Sequence, residues 1–367
     1  MDAVRIIVSV FNNLYMDQRV EKVCKTLSQN GYKIELIGNN WRGLPPLTRN
    51  YPVTRLQLRS KILRFAYLEF QLKLYQHLLK TADSNCILLS NDLDTLLPNF
   101  LVSKKLGIPL VFDSHEIFTE MPSVAGRFSQ KIWRILEKKV LPNIQYMMTA
   151  SESYADWFVK SYKILRPVVV QNFPLFRENS KNTGLNEQKI LIYQGVINPS
   201  RGLDKLIPAM AEIPNAKLWI AGDGPKKTEY EQLTKKLGLE KNIEFLGQIF
   251  PEKLREITQR ADVGLSIEEN NGLSYYFSLP NKISDYIQAR VPVVVSEFPE
   301  MKKIVNEFQV GETISNHSEL AEKIKKVLEK APEFYFENLA KAAAQLCWEK
   351  EEPKLLDLFR KVREENF

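Results

Sequence analysis

Short apolar runs alternate with stretches of helical period along almost the whole chain, an order that is satisfied by a parallel sheet with helices on its faces. Residues 5–11 read as a buried strand. Residues 17–30 follow as a helix with Val20, Val23, Cys24 and Leu27 on one face, closed by Gly31 before a second strand at 33–37. The unit recurs with a helix at 63–79, a strand at 86–89, a helix at 99–106 and strands at 109–112, 146–149 and 168–170.

After Asn172 the sequence turns polar, with proline and glycine at its two ends, and residues 173–188 read as an interdomain linker. A second series then begins, with strands at 190–193, 217–221, 243–246, 263–266 and 291–295 and two closing helices within 335–364, the last carrying Leu355, Leu356, Leu358, Phe359 and Val362. At 367 residues the chain exceeds one ordinary core. The expected division is 1–172, linker 173–188, 189–345, and a closing helix 346–367 that returns to the first domain. The fold class is α/β, two Rossmann-like doubly wound parallel sheets whose strand C-termini face a cleft, where such sheets bind ligands.

Charge is uneven. Residues 1–170 hold 23 Lys and Arg against 14 Asp and Glu, a balance of +9, and the remaining 28 against 30 give −2, which together make the net +7. A basic half suggests an anionic partner. No helix-turn-helix, zinc-finger or RNP-like pattern occurs, so nucleic acid is not expected, and contact with an anionic membrane or anionic substrate is preferred. No apolar run of about 18 residues is present and the start lacks a signal-peptide pattern, which predicts a cytoplasmic protein, at most peripheral on the inner face of the membrane. Cys24, Cys86 and Cys347 are scattered and odd in number, which fits neither a disulfide framework nor a zinc site.

The segment 278–296 places a loop, a short helix and a buried strand in succession. Pro280 suits a first helical turn, and the backbone N–H groups around Ser278, Leu279, Asn281 and Lys282 would point to solvent at the positive end of the helix, with the Lys282 charge added. Asp285, one turn on, is placed to accept from sugar hydroxyls as the acidic residue of dinucleotide folds accepts from ribose. Phosphate and ribose together indicate a nucleotide. Upstream, Gly195 and Arg201 flank a strand-loop-helix that suits phosphate, and also suits an ordinary turn with a solvent-facing arginine. Gly222 and Gly224 end the next strand, and Gly247, Gln248 and Ile249 the one after, where glycine lets backbone approach a flat ring or simply turns tightly.

In their order, these segments resemble the nucleotide-sugar domain of a retaining family 4 glycosyltransferase of GT-B fold, with a Ser-Leu-Pro-Asn-Lys variant like that of a bacterial polysaccharide-type subset. The resemblance is centred on residues 190–300 and extends over most of the chain. It implies a nucleotide-diphosphate sugar donor of UDP or GDP type, no further cofactor and a glycan or lipid-linked acceptor. Arg201 would contact the diphosphate, Asp285 the ribose, and the loops at Gly222–Pro225 and Gly247–Ile249 would flank the base. Three positions depart from the family pattern. Val196 stands for an arginine after the first glycine, Phe277 for a glutamate that contacts the donor sugar, and Arg290 for a glycine ahead of Pro292.

In the first half, Asp113, His115 and Glu116 follow a strand at the expected cleft edge, and the resemblance implies that they line the acceptor and donor-sugar side as the catalytic group. His77 and His317 read as structural or solvated. Asp92 and Asp94 end the preceding strand; their spacing is that of a metal motif in a different fold, and no metal is assigned. The loop with Asn13, Asp17 and Arg19 should face the same cleft on the acceptor side, although Asp17 is equally placed to cap a helix with Arg19 merely exposed. A stripe of Ile62, Phe65, Leu68, Leu72, Tyr75 and Leu79 reads as core, with a lipid-facing role as the rival. A nucleotide-sugar epimerase and a non-catalytic nucleotide-sugar binding protein remain as alternatives; product analysis separates them. A dehydrogenase is disfavoured by the lack of Gly-x-Gly-x-x-Gly at a helix start.

Overall fold

The structure, a computed structural model, describes residues 3–15, 17–41, 47–178, 188–330 and 332–367. The chain divides into two compact units, one of residues 1–171 with 351–367 and one of residues 172–350.

The first unit runs β1 (Arg5–Ser9), α1 (Gln18–Gln29), β2 (Lys33–Asn39), β3 (Val53–Leu56), α2 (Leu63–Thr81), β4 (Cys86–Asn91), α3 (Leu93–Leu106), β5 (Leu110–Ser114), α4 (Phe128–Val140), β6 (Tyr146–Thr149), α5 (Glu152–Tyr162) and β7 (Val168–Val169). Its seven strands are all parallel, ordered β3-β2-β1-β4-β5-β6-β7. Every residue of β4 and β5 is buried, because helices cover both faces of a parallel sheet and the strands need no polar side. The sheet order reverses beside β1, so the loops after β1, β4 and β5 lie at one end of the sheet, the usual ligand end.

The second unit runs β8 (Lys189–Gln194), α6 (Leu203–Ala209), β9 (Ala216–Ala221), α7 (Lys227–Lys236), β10 (Ile243–Gly247), α8 (Pro251–Gln259), β11 (Val263–Ser266), α9 (Leu273–Tyr276), α10 (Asn281–Gln288), β12 (Val293–Ser296), α11 (Pro299–Phe308), β13 (Gly311–Ile314), α12 (Leu320–Glu329), α13 (Pro332–Gln345) and α14 (Trp348–Asn366). Its six parallel strands are ordered β10-β9-β8-β11-β12-β13. Both sheets are therefore doubly wound and Rossmann-like, as the alternating pattern predicts.

The boundary between the units falls inside α14, just after Lys350. The rest of α14 packs in the first unit, where Phe359 meets Tyr32 edge-on at 6.1 Å and the Tyr146 hydroxyl donates to Glu365 at 2.6 Å. Of the polar stretch 173–188, residues 179–187 lie outside the described residues. The part before them is held by the second unit: Phe173 is buried in its core, and the Phe176 and Arg177 amides donate to Glu349 and Gln288.

Three sequence expectations change. The helix expected from residue 99 starts at Leu93 and runs through Pro98, whose missing N–H forfeits only the bond to the Asp94 carbonyl. Strands β3 and β13 are additional, and both are short edge strands with little apolar pattern. The stripe from Ile62 to Leu79 is not the buried face of α2. Ala66, Phe70, Leu74 and Leu78 face the core, Tyr75 and Leu79 are half-buried, and Ile62, Phe65, Leu68 and Leu72 are exposed.

Candidate active site

In the second unit the glycine loops after β8, β9 and β10 meet. The Gly195 amide donates to the Ala221 carbonyl at 2.9 Å and the Gly222 amide to the Gly247 carbonyl at 2.8 Å. A β-carbon on Gly222 would lie 1.9 Å from the Gly195 carbonyl oxygen, so no other residue fits this crossing. The result is a backbone shelf at the C-terminal ends of three adjacent strands. Gln248 is exposed beside it and Ile249 half-buried.

Helix α10 lies over this sheet because of another missing side chain. The Tyr286 ring occupies the space above Gly264, where a β-carbon would come within 2.4 Å of it. The Tyr286 hydroxyl accepts from the Gln194 amide at 3.1 Å and faces the carbonyls of Ile192 and Leu265, each at 3.2 Å, where β8 and β11 part. This fixes the helix, and with it Lys282 and Asp285. The Gln194 side-chain amide donates to Asp285 at 3.2 Å. No side chain caps α10, and Asn281 is exposed at its start, while the Ser278 hydroxyl donates to the Tyr275 carbonyl and Leu279 packs on the core.

Lys282 departs from expectation. Its ammonium does not stand in solvent; it is buried, 2.7 Å from Glu268 and 4.2 Å from the centre of the Tyr193 ring. Arg201 approaches the same Glu268 oxygen at 3.5 Å and stacks over Tyr275 at 4.7 Å. Glu268 is 1% exposed and also accepts from the Ser266 hydroxyl at 2.8 Å. Burial opposes its charge, but Lys282 and Arg201 outweigh burial and hold the carboxyl below its ordinary range. Two cations thus share one anion beside Gly195, leaving a net positive site. The Lys282 ammonium lies 3.9 Å from where a Gly195 β-carbon would be, next to exposed Val196.

The other departures also have physical readings. Arg290 adopts φ 60°, the left-handed backbone that glycine takes readily, and its guanidinium donates to the carbonyls of Ile287, Gln288 and Arg177. Phe277 is half-buried against Tyr276, and Glu269 is half-buried with its amide on the Ser200 carbonyl. Glu268, Glu269, Tyr276, Ser296, Glu297 and His317 help to line a cavity of about 420 Å³ within this unit.

In the first unit the loop ends of β1, β4 and β5 bring Arg19, Asp92, Asp113 and His115 into one cluster. Asp113 is wholly buried, both of its oxygens taken by Arg19 at 2.7 and 2.9 Å, and Arg19 also donates to the Val170 carbonyl at 2.6 Å. Arg19 is therefore not the exposed residue of the simpler reading. Asp17 does cap α1, accepting from the Val20 amide at 2.9 Å, and Asn13 accepts from the Tyr15 amide within its own loop.

His115 donates its backbone N–H to Asp92 at 2.9 Å. Its Nδ1 lies 3.3 Å from the other Asp92 oxygen, and its Nε2 is 3.1 Å from Asn91 and 3.2 Å from Asp113. Burial works against an imidazolium, yet Asp92 and Asp113 outweigh it and raise His115 to about 9. Asp113 is opposed by burial and held below the carboxylate range by Arg19 and His115. Burial raises Asp92, and it raises Asp94 well above the usual range; one Asp94 oxygen is buried without a hydrogen-bond partner. Asp92 takes φ 59°, a strained position for a residue with a side chain, at the start of α3. Glu116 is half-buried beyond the cluster. His77 lies beside Glu35, and His317 beside the Ile267 carbonyl.

Asn91, Gln194, Tyr275, Tyr286 and Glu268 were not singled out in sequence as members of these sites. Their signal is positional, since Asn91 and Gln194 end strands and Glu268 follows one. Among the described residues no group of three or more His, Cys, Asp and Glu side chains is arranged to hold a metal ion.

Comparison with known proteins agrees with this layout. Residues 16–173 match the model of Glycosyltransferase Family 4, and residues 176–346 that of Glycosyl transferases group 1. Sucrose-phosphate synthase from Thermosynechococcus elongatus superimposes with a TM-score of 0.82 at 17% identity, covering 98% of this chain and 99% of that one. HepE of Anabaena, solved in complex with UDP-glucose, gives 0.70 at 14% identity, covering 98% of each chain. These likenesses show the GT-B fold. Among curated proteins, alpha-monoglucosyldiacylglycerol synthase of Streptococcus pneumoniae is 20% identical over 255 residues, 63% of this chain and 56% of that protein. The first curated relatives are matched over only 17%, 30% and 56% of their lengths. With the two models spanning nearly all of both units, the chain belongs to the family 4, group 1 glycosyltransferases of GT-B fold.

Proposed function

We propose that the chain transfers a sugar from a nucleotide-diphosphate donor to an acceptor hydroxyl with retention at the anomeric carbon, the acceptor being a glycan or lipid-linked glycan. The observation that carries this reading is the convergence of Arg201 and Lys282 on the buried Glu268, beside the Gly195 loop. A departing diphosphate needs positive potential that is in place before the bond breaks. Glu268 supplies that order by holding both cations in fixed positions, and the site keeps one net positive charge for the donor. Lys282 takes up the charge that the arginine replaced by Val196 would bring.

Asp285, kept in place by Gln194, accepts from the ribose hydroxyls, while the shelf of Gly195, Gly222 and Gly247 admits the flat base with Gly224, Gln248 and Ile249 around it. Ser278, Leu279 and Asn281 present the start of α10 to phosphate. Binding of UDP-glucose by HepE supports a UDP donor. Glu268 is too enclosed to replace the sugar-contacting carboxylate lost at Phe277, so Glu269 on the neighbouring cavity is assigned that contact.

In the first unit His115 is the group that meets sugar or acceptor. As an imidazolium it donates hydrogen bonds and stabilises negative charge; it is not a base. Asp113, Arg19 and Asp92 are positioning residues that hold its ring, and Glu116, Asp94, Asn13 and Asp17 complete the acceptor side around them. No covalent nucleophile is required.

Thermal-shift titration with UDP, GDP and the other nucleoside diphosphates tests the donor side, since a ligand of the folded state raises apparent stability. Product analysis with the matching nucleotide sugar then tests the reaction. A glycoside or slow donor hydrolysis supports transfer. An epimer as sole product, or binding without turnover, overturns it in favour of an epimerase or a binding protein.

A further inference from the structure

One surface of the first unit takes no part in the cluster around His115. Helix α2 is apolar on two opposite faces, and only one of them, Ala66 to Leu78, is used by the core. On the other face Phe65, Leu68 and Leu72 lie open, as do Phe128, Ile132 and Ile135 on α4, each between 48% and 78% exposed. These are spacings of three, four and seven residues, which put each trio on one helical face. Tyr67 of α2 and Trp133 of α4 meet edge-on at 6.3 Å, so the two helices are neighbours with their apolar faces turned outward.

The border of this surface has one sign. Lys61, Arg64, Arg127, Lys131, Lys138 and Lys139 are all exposed. The acids within 59–80 and 127–140 are Glu69, half-buried and paired with Lys73 at 2.7 Å, and Glu137, buried against Thr119 and Tyr162. Among the described residues no helix is long and apolar enough to cross a membrane.

We propose that α2 and α4 dock the first unit onto an anionic bilayer surface, with the six apolar side chains entering the interface and the basic residues meeting the lipid headgroups. A second copy of the chain fits poorly, because a self-complementary contact would set lysine and arginine against lysine and arginine. A bilayer offers what this surface lacks: negative charge above an apolar layer.

The test is vesicle flotation of the full chain with phosphatidylcholine containing phosphatidylglycerol, against phosphatidylcholine alone, at low and high salt. The chain should float with the anionic vesicles and be released by salt, each neutralised cation weakening partition about five-fold. Leu68→Ser/Leu72→Ser should weaken it by about ten-fold or more, as should Lys131→Glu/Lys138→Glu. These positions are exposed, so melting temperature and nucleotide binding should stay at parental values. Failure of the parent chain to float, or equal flotation of folded variants, would overturn the proposal. Concentration-dependent self-association without flotation, abolished by the serine pair, would overturn it in favour of a second copy. The readout involves no sugar transfer, so it stands or falls apart from the proposed reaction.

Discussion

Arg19 closes its guanidinium on both oxygens of Asp113, at 2.9 and 2.7 Å, joining the first helix to the end of β5 across 94 residues of sequence. Neither group reaches solvent. The pair holds a negative charge under His115 and keeps that imidazole protonated. Removing one partner would strand the other as a buried charge, and Arg19→Met should cost about 3–5 kcal/mol. Urea denaturation reads this directly, and a loss below about 1 kcal/mol, the range of an exposed pair, would contradict the buried geometry.

His115 should make stability depend on alkaline pH. Its folded-state value of about 9 lies above that of a free imidazole. The bond to Asp92 and Asp113 is therefore fully stabilising below about pH 6.5 and is lost as pH rises towards the folded-state value. The parent should lose on the order of 3 kcal/mol across that window, and His115→Gln should lose the slope. Matching unfolding curves for parent and variant from neutral to alkaline pH would refute this.

Arg201→Ala should reduce transfer by about 100- to 1000-fold through loss of a preorganised cation, with the melting temperature little changed because the side chain is partly open. Lys282→Met should reduce transfer similarly and also destabilise by about 3 kcal/mol or more, since Glu268 would keep only Arg201 at 3.5 Å as a cationic partner. Steady-state rates together with thermal melts distinguish the two variants.

Gly264→Ala tests whether Tyr286 seats α10. The new methyl would sit 2.4 Å from the ring, forcing the helix outward. A loss of about 1–3 kcal/mol is expected, with weaker nucleotide diphosphate binding because Lys282 and Asp285 move with the helix. Undiminished affinity measured by calorimetry would show that the helix does not depend on this contact.

Asp285→Ala removes one charged hydrogen-bond acceptor, and the donor KM should rise by about ten- to hundred-fold with a smaller change in kcat. An unaltered KM would remove the ribose contact from the proposal.

Much of the fold was legible because it rests on local periodicity. The apolar runs around Ile6, Leu88 and Leu191 could only be buried strands between helices, and the proline and glycine positions marked where strands gave way to helices. Edge strands β3 and β13 were not legible, since an edge strand buries too little to need an apolar pattern. Nor was the outward face of α2: a helix apolar on two sides does not say from sequence which side the sheet covers. At the sites, Arg201, Lys282, Asp285, Asp113 and His115 could be named from their places at strand ends and helix starts. Glu268 could not be assigned, because nothing near it in sequence shows the two cations it holds.

Sequence by itself determined the alternation of strands and helices, the two series, the family and the residue types offered at each strand end, all of which depend on neighbours a few positions apart. Tertiary structure decided which charges are spent inside the protein. Lys282 and Arg19 read alike in sequence as cations near a ligand, yet each is neutralised by a carboxylate brought from a distant strand end. Pairing of that kind is set by sheet order and burial, and the low dielectric of the interior makes it decisive.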